Sequence, residues 1–278
     1  MPRSIWNGVI SFGMVSIPVK LYTGTADKDI SFHMLHKEDN ERIKMLRWCP
    51  ADERAVEMSE VVKGYEYARD QYVILTEEDF EKLPLPSKHT IELTQFVEAS
   101  EIDPVYYEKS YYLEADERAM KPYALLLKAL REKGLVAIAK IAIRNKERLC
   151  ALRPLEGTIV LETLFYPDEI RIEKADIPEV DVSERELQMA LTLIEMLQEP
   201  FDPEKYHDDY RQALMQVIEA KLEGQELAEV ATPVPAKVTD LMTALKASVE
   251  AQKKRRGEAE EAEEEEAPRR RRAKAAAG

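Results

Sequence analysis

The chain has 278 residues, with 54 acidic side chains against 40 basic ones and a formal net charge of −14. That length supports one or two domains with a real hydrophobic core. The charge excludes attraction of the whole surface to a polyanion, though a local basic face is still allowed.

Cys49 and Cys150 are the two cysteines. They form no disulfide framework and no thiol motif, which suits a reducing compartment. The opening MPRSIWNGVIS lacks the charged-then-apolar order of a signal peptide. No apolar run reaches the roughly 20 residues that span a bilayer. The expectation is a cytoplasmic chain with no membrane contact.

In chain order, residues 1–167 read mainly as strands. IWNGVISF and VSIPVKLY flank Gly13 and Met14, and Pro18 is expected at an edge or bulge. ISFHML, RIKMLRW, QYVIL, HTIELTQFV and EKSYYL follow. LVAIAKIAI and RLCAL face each other across the polar turn RNKE as a hairpin, and TIVLETLFY completes the set. Many short strands joined by polar turns predict an antiparallel sandwich or barrel.

Two helices interrupt them. TEEDFEKL is capped by Thr76 with acids in its first turn. KPYALLLKALREKG has Pro122 in its first turn, Gly134 as its stop, and Tyr123, Leu126, Leu127 and Leu130 on one face.

From Ser183 the period becomes helical. Ser183 and Glu186 form a capping box, and Leu187, Ala190, Leu191, Ile194 and Leu197 repeat at helical spacing. Asp202-Pro203 is read as opening a second helix carrying Tyr206, Tyr210, Leu214, Val217 and Ile218. A linker with Pro233 and Pro235 leads to an amphipathic helix on which Val238, Leu241, Met242, Leu245 and Val249 share a face. Residues 253–278, nine bases and seven acids with no aromatic or β-branched side chain, are expected to be disordered.

No phosphate-binding glycine loop, dinucleotide fingerprint, nucleophile elbow or HExxH pair is present. His33 and His36 point to opposite faces if SFHMLH is a strand, so they read as structural rather than as ligands. No metal and no cofactor is expected, and no carboxylate pair stands out for acid–base work. A binding protein fits better than an enzyme.

Charge is unevenly distributed: residues 168–209 hold 14 acids and 4 bases. Two basic segments lie among the strands. DNERIKMLRW carries Arg42, Lys44 and Arg47, and IAKIAIRNKER carries Lys140, Arg144, Lys146 and Arg148. Any one such cation is more often solvated than functional. Two clusters, one at a hairpin tip, favour contact with phosphates, and without interleaved aromatics they favour duplex backbone over stacked single-stranded bases.

RSIWNGVISFGMVSIPVKLY, VVKGYEYARDQYVILTEEDFEKL and KPYALLLKALREKGLVAIAKIAIRNKERLCALRP, in that order, resemble the prokaryotic Ku family over about residues 3–225. The resemblance implies a Ku-type antiparallel β-barrel core with a dimer bridge (1–182), a helical dimer arm (183–228), a linker with an amphipathic helix (229–252) and a charged tail (253–278). It implies a nucleoid-associated, non-catalytic homodimer that encircles double-stranded DNA ends in non-homologous end joining and recruits a multidomain ATP-dependent DNA ligase of the ligase D type.

By correspondence, Arg42, Lys44, Arg47 and Lys63 lie on the bridge near DNA, with Arg144, Lys146 and Arg148 at a second DNA-facing turn. Val238, Leu241, Met242, Leu245 and Val249 fall in the segment used for ligase contact. Lys253, Lys254, Arg255, Arg256, Arg269, Arg270, Arg271 and Arg272 are auxiliary contacts, because the interposed glutamates compete for them. Two other readings compete with this one. The first is an acidic protein–protein adaptor with merely solvated basic patches, and the second is a hydrolase for which no nucleophile–base pair can be named.

Overall fold

The computed structural model describes residues 3–83, 86–144, 146–172, 180–224 and 242–254. The proline-containing linker with Val238 and Leu241, and the tail with Arg255, Arg256, Arg269, Arg270, Arg271 and Arg272, lie outside the described residues. The chain divides into two units, Met1–Lys174 and Ala175–Gly278.

In the first unit, β1 (Trp6–Phe12) and β2 (Val15–Thr23) form an antiparallel hairpin. Gly13 turns it at φ +58°, a conformation glycine adopts without steric cost. Ile17, Val19 and Leu21 alternate inward and are buried, as a two-residue period requires.

Pro18 is not on an edge strand, contrary to expectation, since β2 lies between two partners. Val9 sends its amide to His89 on the other side, so Val9 and Pro18 face each other without exchanging amides. Pro18 accepts from the Asp116 amide at 3.0 Å, just past the last paired residue of the neighbouring strand. Its missing N–H falls where that ladder stops.

Residues 24–75 lie outside the barrel sheet. ISFHML and RIKMLRW do not form the expected strands. They meet through a single bridge, Leu35 to Arg42, and an amide bond from Ile43 to the Met34 carbonyl. With almost every side chain from Ser31 to Gln71 exposed, no core holds a longer ladder in place.

Two small sheets follow. β3 (Trp48–Cys49) pairs with β4 (Arg54–Ala55), and β5 (Lys63–Ala68) with β6 (Gln71–Leu75). The strand at KGYEY was not anticipated, because its alternation places no apolar face toward a core. Helix α1 (Glu77–Glu81) starts at Thr76, where the expected cap is a full capping box with Asp79.

HTIELTQFV, read as one strand, is two: β7 (Thr90–Glu92) and β8 (Gln95–Glu98). They are followed by β9 (Tyr107–Ala115), α2 (Met120–Lys133), β10 (Leu135–Ile143), β11 (Lys146–Leu155) and β12 (Thr158–Leu164). The sheet order is β7-β1-β2-β9-β12-β11-β10-β8.

The two ends of that sheet are consecutive pieces of one extended segment. The Leu93 amide donates to the Ser11 carbonyl on β1, and the Thr94 amide to the Ile138 carbonyl on β10. The segment changes partner between these residues, so the sheet curls into a barrel whose ends are joined covalently. Closure leaves few open edges for unwanted pairing.

The core gathers Ile10, Ile17, Leu21, Ile91, Leu113, Ile141, Leu152, Ile159 and Leu161. α2 adds Tyr123, Leu126 and Leu130 from one face, with Leu127 packed beside them. Gly134 ends the helix at φ +67°, as expected for a C-terminal glycine.

The Tyr123 hydroxyl joins helix to strands. It donates to the Leu113 carbonyl at 2.6 Å and accepts from the Ile159 amide at 2.8 Å. Tyr123→Phe keeps the ring but leaves a buried amide without its acceptor. The expected loss is about 1–3 kcal/mol of unfolding free energy, read as a lower urea midpoint with unchanged slope. An unchanged midpoint would show that the hydroxyl adds nothing.

In the second unit, α3 (Glu184–Leu197) begins with the expected capping box of Ser183 and Glu186. Asp202-Pro203 opens only a short 3-10 turn, Pro203–Lys205, capped by Asp202. The helix proper, α4 (Asp209–Leu222), starts at Asp208, so Tyr206 precedes it. Asp208 was overlooked because Asp202 followed by proline is the stronger sequence signal for a helix start. A further helix covers residues 242–254, so Lys253 and Lys254 are helical.

Candidate nucleic-acid interface

The cations singled out from the sequence divide by what their charge already meets. Arg42, Lys44 and Arg47 project from the exposed segment between β2 and β3, and none has an ion pair among the described residues. Arg144 occupies the tip of the β10–β11 hairpin at φ +51°. That left-handed conformation is uncommon for a side chain as long as arginine. It is likewise exposed and without an ion pair among the described residues.

The remaining three are engaged. Lys63 donates to Glu77 Oε1 at 2.8 Å and sits 4.7 Å from the Phe80 ring centroid. Lys146 donates to Glu169 Oε1 at 3.0 Å. Glu169, which also accepts the Tyr166 amide, is held below the usual carboxylate range mainly by that amide and then by Lys146. Both lysines are more than half exposed, so these solvent-screened pairs are weak and exchange readily with a competing anion.

Arg148 is different. Its guanidinium pairs with Glu108 across β12, where Thr163 Oγ1 also donates to the same carboxylate oxygen at 3.2 Å. Side-chain exposures are 24% and 17%. The pair ties β11 to β9 through the strand between them. A second such pair, Arg153 to Glu162 at 2.6 Å, also receives the Ser110 hydroxyl.

Lys140, part of the same basic segment, donates to Glu147 at 3.2 Å. The Ser87 hydroxyl and then Lys140 hold Glu147 below its ordinary range, opposed by burial. One cation near the hairpin went unnoticed in the sequence. Lys109 of β9 lies beside Arg144 and Arg148 in the folded barrel, and a lone lysine in EKSYYL carries no signal of that proximity.

In the second unit, Met242 and Leu245 are half-buried and Val249 is buried, while Lys253 and Lys254 are exposed. Among the described residues, no group of three or more His, Cys, Asp or Glu side chains is placed to hold a metal ion. His36 Nδ1 lies 2.8 Å from Asp39 Oδ1 within its own turn. Cys150 is buried and its thiol is pushed strongly up by desolvation, so it stays protonated and unreactive. No described helix is long and apolar enough to cross a membrane.

The class is set by the fold: a curled β-barrel domain, antiparallel as expected except that β7 pairs with β1 in parallel, followed by a helical unit. The model of the Ku70/Ku80 beta-barrel domain matches residues 11–189, and the chain belongs to the Ku family. Relatives carrying the name non-homologous end joining protein Ku agree over nearly its whole length. The protein of Symbiobacterium thermophilum is 45% identical over 258 residues, covering 91% of this chain and 64% of that protein. The chain therefore spans less than two thirds of that relative. The protein of Desulfitobacterium hafniense is 44% identical, with 92% and 91% covered. That of Archaeoglobus fulgidus is 44% identical, with 90% and 100% covered.

Proposed function

We propose that this chain binds the ends of double-stranded DNA without regard to sequence, as a ring-shaped homodimer, and serves as a non-catalytic scaffold that recruits a multidomain ATP-dependent ligase. The observation that carries the reading is a sequence agreement of about 44% with proteins named for non-homologous end joining. Two features of the molecule are consistent with it. The segment from 24 to 75 exposes apolar side chains, Tyr65 at 65% and Leu46 at 72% among them, and bears Arg42, Lys44 and Arg47, which have no ion pair among the described residues. Exposed apolar area on that scale marks an interaction surface, which a second copy would cover.

Enclosure gives affinity without base readout, because phosphate contacts position a protein and carry no sequence information. It also reconciles net charge with function. Positive charge is needed on the DNA-facing surface alone, and acidic stretches such as helix α3 limit attraction elsewhere. The auxiliary role of Lys253 and Lys254 follows the same logic at the end of the last helix. Ligase docking on the Met242, Leu245 and Val249 face requires that helix to be lifted, since Val249 is buried.

Linear duplex is expected to bind tightly, while a covalently closed circle of the same sequence retains nonspecific affinity of roughly 10⁻⁴–10⁻⁶ M at physiological salt. A gel-shift comparison of the two decides the matter, and equal affinity would rule out threading onto an end. If neither binds, the acidic-adaptor reading takes over.

A further inference from the structure

Beside the β10–β11 hairpin, the barrel opens into a cavity of about 530 Å³. Its lining includes Lys109, Arg144, Lys146, Arg148, Tyr111 and Asp27. Cations outnumber carboxylates four to one in the lining, and four to three once Glu108 and Glu169 behind it are counted. Asp27 is partly committed, because its Oδ1 accepts the Asp29 amide at 2.9 Å. Neither Lys109 nor Arg144 has an ion pair among the described residues. Among the described residues the cavity therefore carries a surplus of positive charge without a matching counter-group.

The lining also supplies neutral donors. Thr23 and Thr25 border the cavity from the end of β2. Tyr111 is 9% exposed, and burial raises its hydroxyl pKa more than the arginines nearby lower it. It remains an O–H donor at neutral pH. Arg148 is fixed by Glu108, whose carboxylate Thr163 also holds, so its planar guanidinium is pre-organised rather than swinging in solvent.

A concave site of a few hundred Å³ with several convergent donors suits a small ligand better than the convex flank of a duplex. Guanidinium and ammonium groups beside hydroxyls match tetrahedral oxyanions above all. We infer that this cavity is a phosphate-binding site, sized for a phosphate carried on a sugar. Within the end-binding reading, the ligand is the terminal phosphomonoester of a DNA strand. A free phosphate would use the same groups. A terminal phosphate carries up to two charges and projects from the helix end, unlike the singly charged diesters along the backbone.

The test uses the full chain, wild type and the double variant Lys109→Gln with Arg144→Gln, and Lys121→Gln on α2 as a control for lost surface charge. Inorganic phosphate is titrated against the thermal transition, with chloride at matched ionic strength as reference. Hairpin-closed duplexes with one open end, 5′-phosphorylated or 5′-hydroxyl, are compared by gel shift. Wild type and Lys121→Gln are expected to gain a saturable stabilisation from phosphate that the double variant lacks.

A preference of about tenfold for the phosphorylated end, also lost in the double variant, assigns the site to the strand terminus. Equal affinity for both ends with phosphate stabilisation intact assigns it to free phosphate. The inference is overturned if wild type shows neither response, or if the double variant keeps whichever response wild type shows. The phosphate titration needs no DNA, so it decides the site even where end binding itself fails.

Discussion

Replacing Arg42, Lys44 and Arg47 together by glutamine is expected to weaken duplex binding on every sequence tested and to flatten its salt dependence. Each lost phosphate contact removes about 0.9 from the slope of log affinity against log salt. Three contacts therefore remove roughly 2.7. Because these side chains are exposed and have no ion pair among the described residues, their removal costs the fold little. The thermal transition is expected to stay in place.

Arg148→Gln is the instructive contrast. Arg148 belongs to the same basic run in the sequence, yet its charge is spent on Glu108. Its replacement strands a mostly buried carboxylate, at a cost of about 2–3 kcal/mol of stability, below the 3–5 of a fully buried pair. The salt slope should barely move. A triple variant with an unchanged slope removes the Arg42–Arg47 segment from the interface, and an Arg148→Gln slope change near 1 means that the guanidinium leaves Glu108 for DNA.

That contrast shows where sequence reading reached and where it stopped. Alternation in VSIPVKLY and LVAIAKIAI, the helical face of Tyr123, Leu126 and Leu130, and the caps at Thr76, Ser183 and Gly134 are local signals, and the folded chain repeats them. Barrel closure at Leu93–Thr94 is not local. It depends on Ser11 and Ile138, distant residues that HTIELTQFV says nothing about.

The segment between β2 and β3 differs for another reason: ISFHML and RIKMLRW have strand composition, but their side chains are exposed and meet no core among the described residues. Site residues share that limit. A run of cations reveals how many charges a segment has, whereas their pairing with Glu108, Glu169 and Glu77 is fixed by strands and loops far away. Lys109 entered the basic cavity by the same long-range route.

The helical unit poses the sharpest case, because α3 turns its regular apolar seam to solvent. Leu187, Leu191, Ile194 and Leu197 are all exposed, Ile194 at 62%, while Met189, Leu193 and Met196 on the other side are half-buried. A solvated seam of that kind is unstable unless another surface covers it. The homodimer proposed above supplies the cover.

Leu191→Asp with Ile194→Asp is therefore expected to convert the dimer to monomer. Full burial of each side chain is worth about 1.5–3 kcal/mol, and two stranded carboxylates add further cost, so the dissociation constant should rise by roughly 10³-fold or more. Sedimentation velocity reads this directly. End binding should fall with it, since a ring needs both copies, while the unfolding transition of the barrel persists.

Leu125→Asp supplies the control: Leu125 is 64% exposed on α2, an isolated apolar side chain of the ordinary kind. It should leave both dimer and binding intact. A dimer that survives the α3 substitutions would show that its contacts lie elsewhere, and the exposed tyrosines of β5 and β6 would be the next surface to charge.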